Sequence, residues 1–285
     1  MPHGCNEETA EDKKMRFIGK EDVKLKKRRA DSHKGENGKV LVVGGSIDYT
    51  GAVLLASLAA YRTGVDWVQV AAPEKVAWVI NTFSPDIVTT KVKGEYFTKE
   101  SADKIAKLSE GFDAVLIGNG IGIRDETKKF AAEIVRKVKK PKVIDADAIT
   151  AIKLSDVSNG VLTPHPKEMG KLLANSKVDK KSLKQKINGN VILLKGKRDE
   201  VISKQKTVFN RTGNAGMTVA GTGDVLAGIA VGILAQEHDL FRSACASAYI
   251  SGLAGAALYK KKGYGFMASE MLDQIPIILK RLRNG

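Results

Sequence analysis

The chain has 285 residues with 43% hydrophobic content, which is enough for one large core or two small ones. No apolar run reaches the roughly 18 residues needed to span a bilayer, and the polar start lacks the apolar centre of a secretion signal. Cys5, in a tail that we expect to be mobile, and Cys245, in an apolar helix, lie far apart in sequence. These features predict a cytoplasmic protein without membrane contact or disulfide bonds.

The net charge is +15, from 47 basic and 32 acidic residues. Such a balance also occurs in nucleic-acid-binding proteins. Here the lysines are spread over predicted amphipathic helices, aromatic residues make up only 6%, and no nucleic-acid-binding motif is recognisable. We therefore predict a solvated, lysine-rich surface that attracts anionic substrates and has no nucleic-acid partner.

In chain order, residues 1–31 form a polar tail and residues 32–285 a single domain. From residue 39 onward, short apolar segments with strand character alternate with amphipathic or small-residue segments that predict helices. The predicted strands are Lys39–Val43, Asp66–Ala72, Ile87–Thr90, Asp113–Ile117, Lys142–Ile144, Gly160–Leu162 and Val191–Leu194. The predicted helices are Ala52–Thr63, Ser101–Leu108, Thr127–Lys139, Asp224–Gln236, Arg242–Tyr259 and Ala268–Leu282.

This alternation predicts an α/β fold with a mainly parallel central sheet flanked by helices, and with a helical C-terminal third. Glycine, aspartate or histidine follows directly after several of the predicted strands, as in the segments GGS, GNGIG, DAD and TPHP. In parallel sheets, ligands bind beyond the carboxyl ends of the strands. The polar residues therefore predict a binding site at that edge of the sheet.

The segment NRTGNAGMTVAGTGDVLAGI, residues 210–229, carries the most chemical information. A glycine-rich polar loop runs here into an apolar helix, whose first N–H groups lack intrahelical partners and carry partial positive charge. Glycines let phosphate oxygens approach such groups, and Asp224 places a carboxylate beside them. Phosphoryl transfer to a hydroxyl group needs this combination of anion site and base. The alternative is that Thr222 caps the helix and Asp224 only complements its dipole.

Several segments occur in a specific order: SHKGENGKVLVVGGS, Gly51-Ala52, GNGIG, DADAI, LTPHPKEM, LLKG and GNAGMTVAGTGDVLAG. From about Ser32 to its end, the chain therefore resembles the ribokinase-like family of ADP- or ATP-dependent NAD(P)H-hydrate dehydratases. The resemblance implies a ribokinase-like three-layer sandwich. It also implies repair of (6S)-NAD(P)HX, the hydrated form of NADH or NADPH, to NAD(P)H. In that reaction the ring hydroxyl is phosphorylated and phosphate is then eliminated, with ADP or ATP as co-substrate and Mg²⁺ as cofactor.

The resemblance implies that Asp224 is the catalytic base. It implies NAD(P)HX contacts at Ala52, Gly120, Gly122, His165 and Asp224, and nucleotide contacts at Lys195, Gly196, Lys197, Arg198, Asp199 and Gly223. The helix start predicts an anion hole at Gly221, Thr222 and Gly223. Asp145, Asp147 and Glu168 are candidates for holding Mg²⁺. The alternatives are a structural turn for His165, surface charge for Lys195 and a helix cap for Asp147.

Four residues depart from the family pattern. Lys167 and Asp199 stand where the family often has glycine and threonine, and Asn119 and Ala215 stand where it often has proline. Some family members carry an additional N-terminal epimerase domain, for which we expect no room in the polar tail. The family often forms homo-oligomers, so we expect an oligomer, with a tetramer as one form.

Two other functions are compatible with the GTGD segment, residues 221–224. One is a small-molecule kinase of the ribokinase superfamily that acts on a thiazole or pyrimidine alcohol. The other is a basic, non-enzymatic protein that binds nucleotides or nucleic acid with strong salt dependence. The segments LTPHPKEM and GGS, followed by Gly51-Ala52, favour the dehydratase.

Overall fold

A single nine-stranded sheet organises the computed structural model, which describes residues 15–23 and 25–284; Cys5 lies outside this range. The strand order is β3-β2-β1-β4-β5-β6-β7-β8-β9, parallel from β3 to β7 and antiparallel at β8 and β9. The strands are β1 Lys39–Val43, β2 Trp67–Pro73, β3 Val88–Val92, β4 Ala114–Ile117, β5 Lys142–Ile144, β6 Gly160–Leu162, β7 Val191–Leu194, β8 Asp199–Ile202 and β9 Thr207–Asn210. The helices are α1 Thr50–Arg62, α2 Glu74–Phe83, α3 Ser101–Ser109, α4 Asp125–Lys137, α5 Pro166–Ser176, α6 Leu183–Lys186, α7 Thr222–Glu237, α8 Leu240–Lys262 and α9 Ala268–Asn284.

Two hydrophobic cores sandwich this sheet, because successive side chains of a strand point to opposite faces. In β1, Val40 and Val42 pack into the core formed with α1, α7, α8 and α9. Leu41 and Val43 pack into the core formed with α3, α4 and α5. The predicted class, a three-layer α/β sandwich with a mainly parallel sheet, is confirmed.

Close backbone contact between α1 and α7 fixes the position at which α7 begins. A β-carbon added at Gly228 would lie 2.2 Å from the Ala56 carbonyl oxygen, and one added at Gly232 would lie 2.3 Å from Thr63 Oγ1. Only glycine permits so short a distance between the helices. The first turn of α7 is thereby held at the carboxyl edge of the sheet.

The predicted elements all occur, with ends that shift by a few residues. Helices α2, α5 and α6 and the β8–β9 hairpin were not predicted. The small residues of α8 are largely buried against neighbouring helices of the same chain, so they serve packing within the chain. Among the described residues, no helix combines the length and apolar character needed to cross a bilayer.

The first described residues lie against the hairpin. The N–H of Ile18 donates to the Phe209 carbonyl oxygen at 2.8 Å, and the N–H of Phe209 donates to the Arg16 carbonyl oxygen at 2.9 Å. Ile18 and Val23 are buried. The range predicted as a polar tail therefore includes a segment that packs against the sheet, and the boundary at residue 32 stays a prediction.

Candidate active site

Asp145 is the buried centre of a polar cluster at the carboxyl edge of the sheet. It follows β5 directly and is 1% exposed. Its Oδ1 accepts hydrogen bonds from Lys195 Nζ at 2.9 Å and Thr163 Oγ1 at 2.7 Å. Its Oδ2 accepts one from Asn119 Nδ2 at 2.9 Å. Side chains that follow β4, β6 and β7 therefore converge on one carboxylate.

Asp224 joins this cluster from the first turn of α7. Its Oδ1 accepts a hydrogen bond from Asn119 Nδ2 at 2.7 Å. Burial raises the pKa of Asp224 to about 6, against the lowering effect of the Asn119 hydrogen bond, and Asp145 adds to the increase. The carboxylate is therefore mainly ionised only at pH values above about 6.

The helix start differs from the predicted cap. Gly221 is the N-cap residue, in the left-handed region at a φ of 95°. The Thr222 hydroxyl donates to the carbonyl oxygens of Met217 at 2.7 Å and Val219 at 3.1 Å, so it fixes the preceding loop. The alternative in which Thr222 caps α7 is wrong. The anion hole at Gly221, Thr222 and Gly223 stays a prediction, supported by first-turn N–H groups that lack intrahelical acceptors.

Lys195 connects the end of β7 to the start of α7. Its ammonium nitrogen lies 2.9 Å from Asp145 Oδ1 and 3.9 Å from Glu168 Oε2, and its side chain is 20% exposed. A β-carbon added at Gly223 would lie 3.4 Å from Lys195 Nζ. Burial opposes the charged form, but the Asp145 and Glu168 carboxylates raise the pKa of Lys195. Lys195 is therefore not a surface charge.

His165 caps helix α5. Its Nδ1 accepts hydrogen bonds from the N–H groups of Lys167 at 3.0 Å and Glu168 at 3.4 Å. Glu168 Oε2 in turn accepts from the N–H of His165 at 2.7 Å. His165 therefore has the structural role considered for it, at the start of α5. Its side chain remains 46% exposed, with Nε2 3.4 Å from Glu168 Oε1. A contact between His165 and a substrate stays a prediction.

Ala52, Gly120 and Gly122 lie on the β1 and β4 side of the same edge. A β-carbon added at Gly120 would lie 3.3 Å from Ala52 Cβ and 2.8 Å from the Tyr49 carbonyl oxygen. The N–H of Gly122 donates to Asp147 Oδ2 at 2.9 Å, while burial raises the pKa of Asp147. The predicted substrate residues of these loops are therefore neighbours.

The candidate metal ligands do not form a site made of protein alone. Asp145 already accepts three hydrogen bonds, one of them from Lys195, and Asp147 accepts one from Gly122. Burial raises the pKa of Glu168, although Lys195 opposes this. Within residues 15–23 and 25–284, no three His, Cys, Asp or Glu residues are grouped to hold a metal ion. A Mg²⁺ ion here would need phosphate oxygens as further ligands.

The predicted nucleotide segment is the turn between β7 and β8. Gly196, Lys197 and Arg198 are exposed there. Asp199 Oδ1 accepts from the N–H of Gly196 at 3.1 Å, and Oδ2 accepts from Asn210 Nδ2 at 3.0 Å. Both oxygens of Asp199 therefore stabilise the hairpin. We did not predict the role of Asn210 because the short segments DEVI and TVFN, which form β8 and β9, were not identified as strands.

The fold defines a ribokinase-like α/β protein with a buried polar cluster at the carboxyl edge of its sheet. Residues 40–277 match the NAD(P)H-hydrate dehydratase family, Carb_kinase, and the chain belongs to this family. The family resemblance seen in the sequence motifs is thereby confirmed.

Individual relatives agree with this assignment. The ADP-dependent (S)-NAD(P)H-hydrate dehydratase of Cenarchaeum symbiosum is 37% identical over 278 residues, covering 93% of this chain and 97% of the relative. The bifunctional NAD(P)H-hydrate repair enzyme Nnr of Archaeoglobus fulgidus is 42% identical over 258 residues, covering 90% of this chain and 54% of the relative. This chain thus spans about half the length of the bifunctional relative.

A crystal structure gives the same result for the fold. The ADP/ATP-dependent NAD(P)H-hydrate dehydratase of Bacillus subtilis, co-crystallised with ATP and Mg²⁺, superposes with a TM-score of 0.77 at 26% identity. The similarity covers 94% of this chain and 99% of the other.

Proposed function

We propose that this chain dehydrates (6S)-NAD(P)HX to NAD(P)H at the expense of ADP or ATP. The observation that carries the proposal is the position of Asp224, in the first turn of α7 between Gly223 and the Asn119 amide, with Lys195 nearby. A family match over residues 40–277 and relatives named for this reaction support it. The match to a dehydratase family also favours this activity over the small-molecule kinase.

Asp224 would act first, as the base for phosphoryl transfer. Its carboxylate takes the proton of the ring hydroxyl while that oxygen attacks the terminal phosphorus of the nucleotide. The bond from phosphorus to the bridging oxygen breaks. The leaving group is AMP when ADP is the phosphoryl donor and ADP when ATP is the donor. The N–H groups at the start of α7 and the Lys195 ammonium would stabilise the charge on the transferred group.

Elimination of phosphate from the ring would follow. The carbon–oxygen bond breaks, and its electron pair leaves with phosphate, a much better leaving group than hydroxide. The lone pair of the ring nitrogen fills the electron deficiency. The departing phosphate then takes a proton from the adjacent ring carbon, and the electron pair of that C–H bond restores the double bond of NAD(P)H. The site must hold the ring in place and keep water away during this step.

The nucleotide would lie between the Lys195–Asp199 turn and the Gly221–Gly223 loop. Mg²⁺ bound to its phosphates would neutralise charge there, with Asp147 or Glu168 as ligands reached directly or through water. Complete removal of divalent metal should abolish turnover, and unchanged turnover in its absence would contradict this part of the proposal.

The decisive test mixes purified protein with NADHX and either ADP or ATP. The absorbance of the reduced nicotinamide ring should return, and one nucleotide phosphate should be released for each ring repaired. A matched reaction with a thiazole alcohol and ATP tests the kinase alternative. Phosphorylation of the alcohol with no recovery of NADH absorbance would overturn the proposal.

We also propose that the chain forms a homo-oligomer in the cytoplasm, with a tetramer as one form. The basis is family resemblance, because the small residues of α8 are occupied within the chain. Light scattering at assay concentration gives the answer directly. A single species of 30.7 kDa, the mass of one chain, would contradict it.

A further inference from the structure

The turn after β4 fixes the position of Asn119. Gly118, with a φ of 129°, approaches β5 so closely that an added β-carbon would lie 2.0 Å from the Asp145 carbonyl oxygen. On its other side, the Asn119 carbonyl oxygen accepts a hydrogen bond from the N–H of Gly45 at 2.8 Å. Asn119 is 0% exposed, so its side chain has little freedom to move.

The Asn119 amide connects two carboxylates from different parts of the chain. Its Nδ2 lies 2.9 Å from Asp145 Oδ2 and 2.7 Å from Asp224 Oδ1. An amide NH₂ has two hydrogens, and here one is directed to each carboxylate. The amide oxygen Oδ1 is buried and has no hydrogen-bond partner among the described residues. The two carboxylate contacts therefore determine the orientation of this amide.

Lys195 is a second possible partner for the Asp224 carboxylate. Its ammonium group is bound to Asp145 and is close enough to Asp224 to affect the ionisation of that carboxylate. A carboxylate with no other donor would turn toward this cation, because buried opposite charges attract strongly. A direct pair between Lys195 and Asp224 would take the base away from a bound hydroxyl.

We infer that Asn119 is a positioning residue, which holds the Asp224 carboxylate beside the Asp145–Lys195 pair and keeps it directed at the substrate hydroxyl. Its contact with Oδ1 leaves Oδ2 to take the proton. The inference rests on the proposed function and adds a component to it. Proline, which the family often has at this position, offers no side-chain donor, so the arrangement depends on the asparagine that this chain carries.

The test compares two variants, each of which nearly preserves the size of a side chain and removes its hydrogen-bond donor. Asn119→Leu keeps the approximate shape of the side chain but removes its donor. Thr163→Val removes a buried hydroxyl that donates to Asp145 at 2.7 Å and has no such bond to Asp224. Both variants lose a buried hydrogen bond to Asp145, so both should melt at lower temperature. Only Asn119→Leu should disturb Asp224.

The expected result is a split between kcat and KM. Asn119→Leu should lower kcat about 100-fold, the scale of a catalytic group misplaced by about 1 Å, while KM for ADP stays nearly constant. Thr163→Val should lose much less of kcat. Equal losses of kcat in the two variants would overturn the inference, because Asn119 would then contribute only to stability. Asn119→Asp, which keeps the size but places a third carboxylate there, should be as impaired as the leucine variant.

A second readout requires no turnover. In a crystal structure of Asn119→Leu, the Asp224 carboxylate should lie within hydrogen-bonding distance of Lys195 Nζ. If Asn119→Leu does not crystallise, the structure of Asn119→Ala, which also lacks the donor and adds no charge, answers the same question. An unmoved Asp224 overturns the positioning role even in an active enzyme. If wild-type protein fails to repair NAD(P)HX but Asp224 turns toward Lys195, the proposed function fails and the geometric role stands.

Discussion

The ammonium nitrogen of Lys195 lies 3.4 Å from the point that a β-carbon on Gly223 would occupy. The end of β7 therefore places a cation beside the first turn of α7. A side chain at residue 223 would stand in van der Waals contact with this ammonium group, where we expect a phosphate oxygen to bind. Gly221 differs, because its added β-carbon would lie 2.8 Å from Leu55 Cδ1 and 3.0 Å from Ala268 Cβ, inside the helix layer.

Two glycine variants should therefore fail for different reasons. Gly223→Ala should weaken ADP binding about tenfold, or about 1.4 kcal/mol, with a melting temperature that is unchanged or higher, since alanine favours helix. Gly221→Ala should lower stability by about 2 kcal/mol, because its left-handed φ and the clash with Leu55 both oppose a side chain. Calorimetric titration with ADP and thermal melts separate the two. Equal losses of stability would contradict this division of roles.

The pH dependence of repair should follow the ionisation of Asp224. Its pKa is raised to about 6 by burial, and only the ionised carboxylate accepts a proton. The value of kcat/KM should therefore be constant above that pH and fall about tenfold per pH unit below it. Lys195 lowers the pKa of Asp224, so any residual activity of Lys195→Met should show this fall at higher pH. A profile that is flat down to pH 4 would show that Asp224 is not the base.

Much of the fold could be predicted from the sequence because the parallel strands are short, apolar and separated by helices. The strands Lys39–Val43, Lys142–Ile144, Gly160–Leu162 and Val191–Leu194 were predicted with the ends that the structure shows. The β8–β9 hairpin was missed because DEVI and TVFN are only four residues long and neither alternates apolar with polar residues. Helix α5 was missed because TPHPKEM was treated as a turn, although a proline in the first helical turn is favourable.

Only part of the candidate site could be predicted from the sequence, for a physical reason. Residues that follow parallel strands must meet at one edge, which predicts that Asp145 and Lys195 are neighbours. The strand pattern does not determine which side chains hydrogen-bond to one another. Asn119 was noted as a departure from the family, but its two carboxylate partners lie 26 and 105 residues away in sequence. Such long-range contacts depend on loop geometry that periodicity does not specify.

Lys142 should be a position at which substitution stabilises the protein. It is 0% exposed at the start of β5, and its ammonium group donates to the Ser158 carbonyl oxygen. Burial, with a smaller effect of Lys139, lowers the pKa of Lys142 from 10.5 to about 8. At neutral pH the folded chain therefore holds a buried charge that the unfolded chain exposes to water. Lys142→Met should raise the free energy of unfolding by about 2 kcal/mol at pH 7.

The sign of this effect gives it a pH signature. Since the folded-state pKa lies below the unfolded value, the destabilisation is complete below pH 8 and disappears as pH rises from 8 to 10.5. Urea unfolding of wild type and Lys142→Met at pH 7 and pH 10 should show a gain that shrinks at the higher pH. The exposed Lys104→Met, on helix α3, is the matched control and should change stability little. A gain of equal size at both pH values would exclude the electrostatic explanation.

Replacement of Asp224 by asparagine separates the two roles considered for this residue. Asp224→Asn keeps the shape of the side chain and an oxygen that accepts from Asn119, but it cannot take a proton. A positioned base contributes about 10²–10⁴-fold, so single-turnover repair of NADHX should slow by that factor, while ADP affinity stays constant or rises as repulsion of phosphate is relieved.

The stability of Asp224→Asn should increase although its activity falls. Because the folded-state pKa is raised from 3.8 to about 6, the ionised carboxylate destabilises the fold above pH 6. The variant should therefore gain up to about 2–3 kcal/mol at pH 8 and much less at pH 4. A variant that keeps most of its repair rate and melts at a lower temperature would instead identify Asp224 as a helix-stabilising residue only.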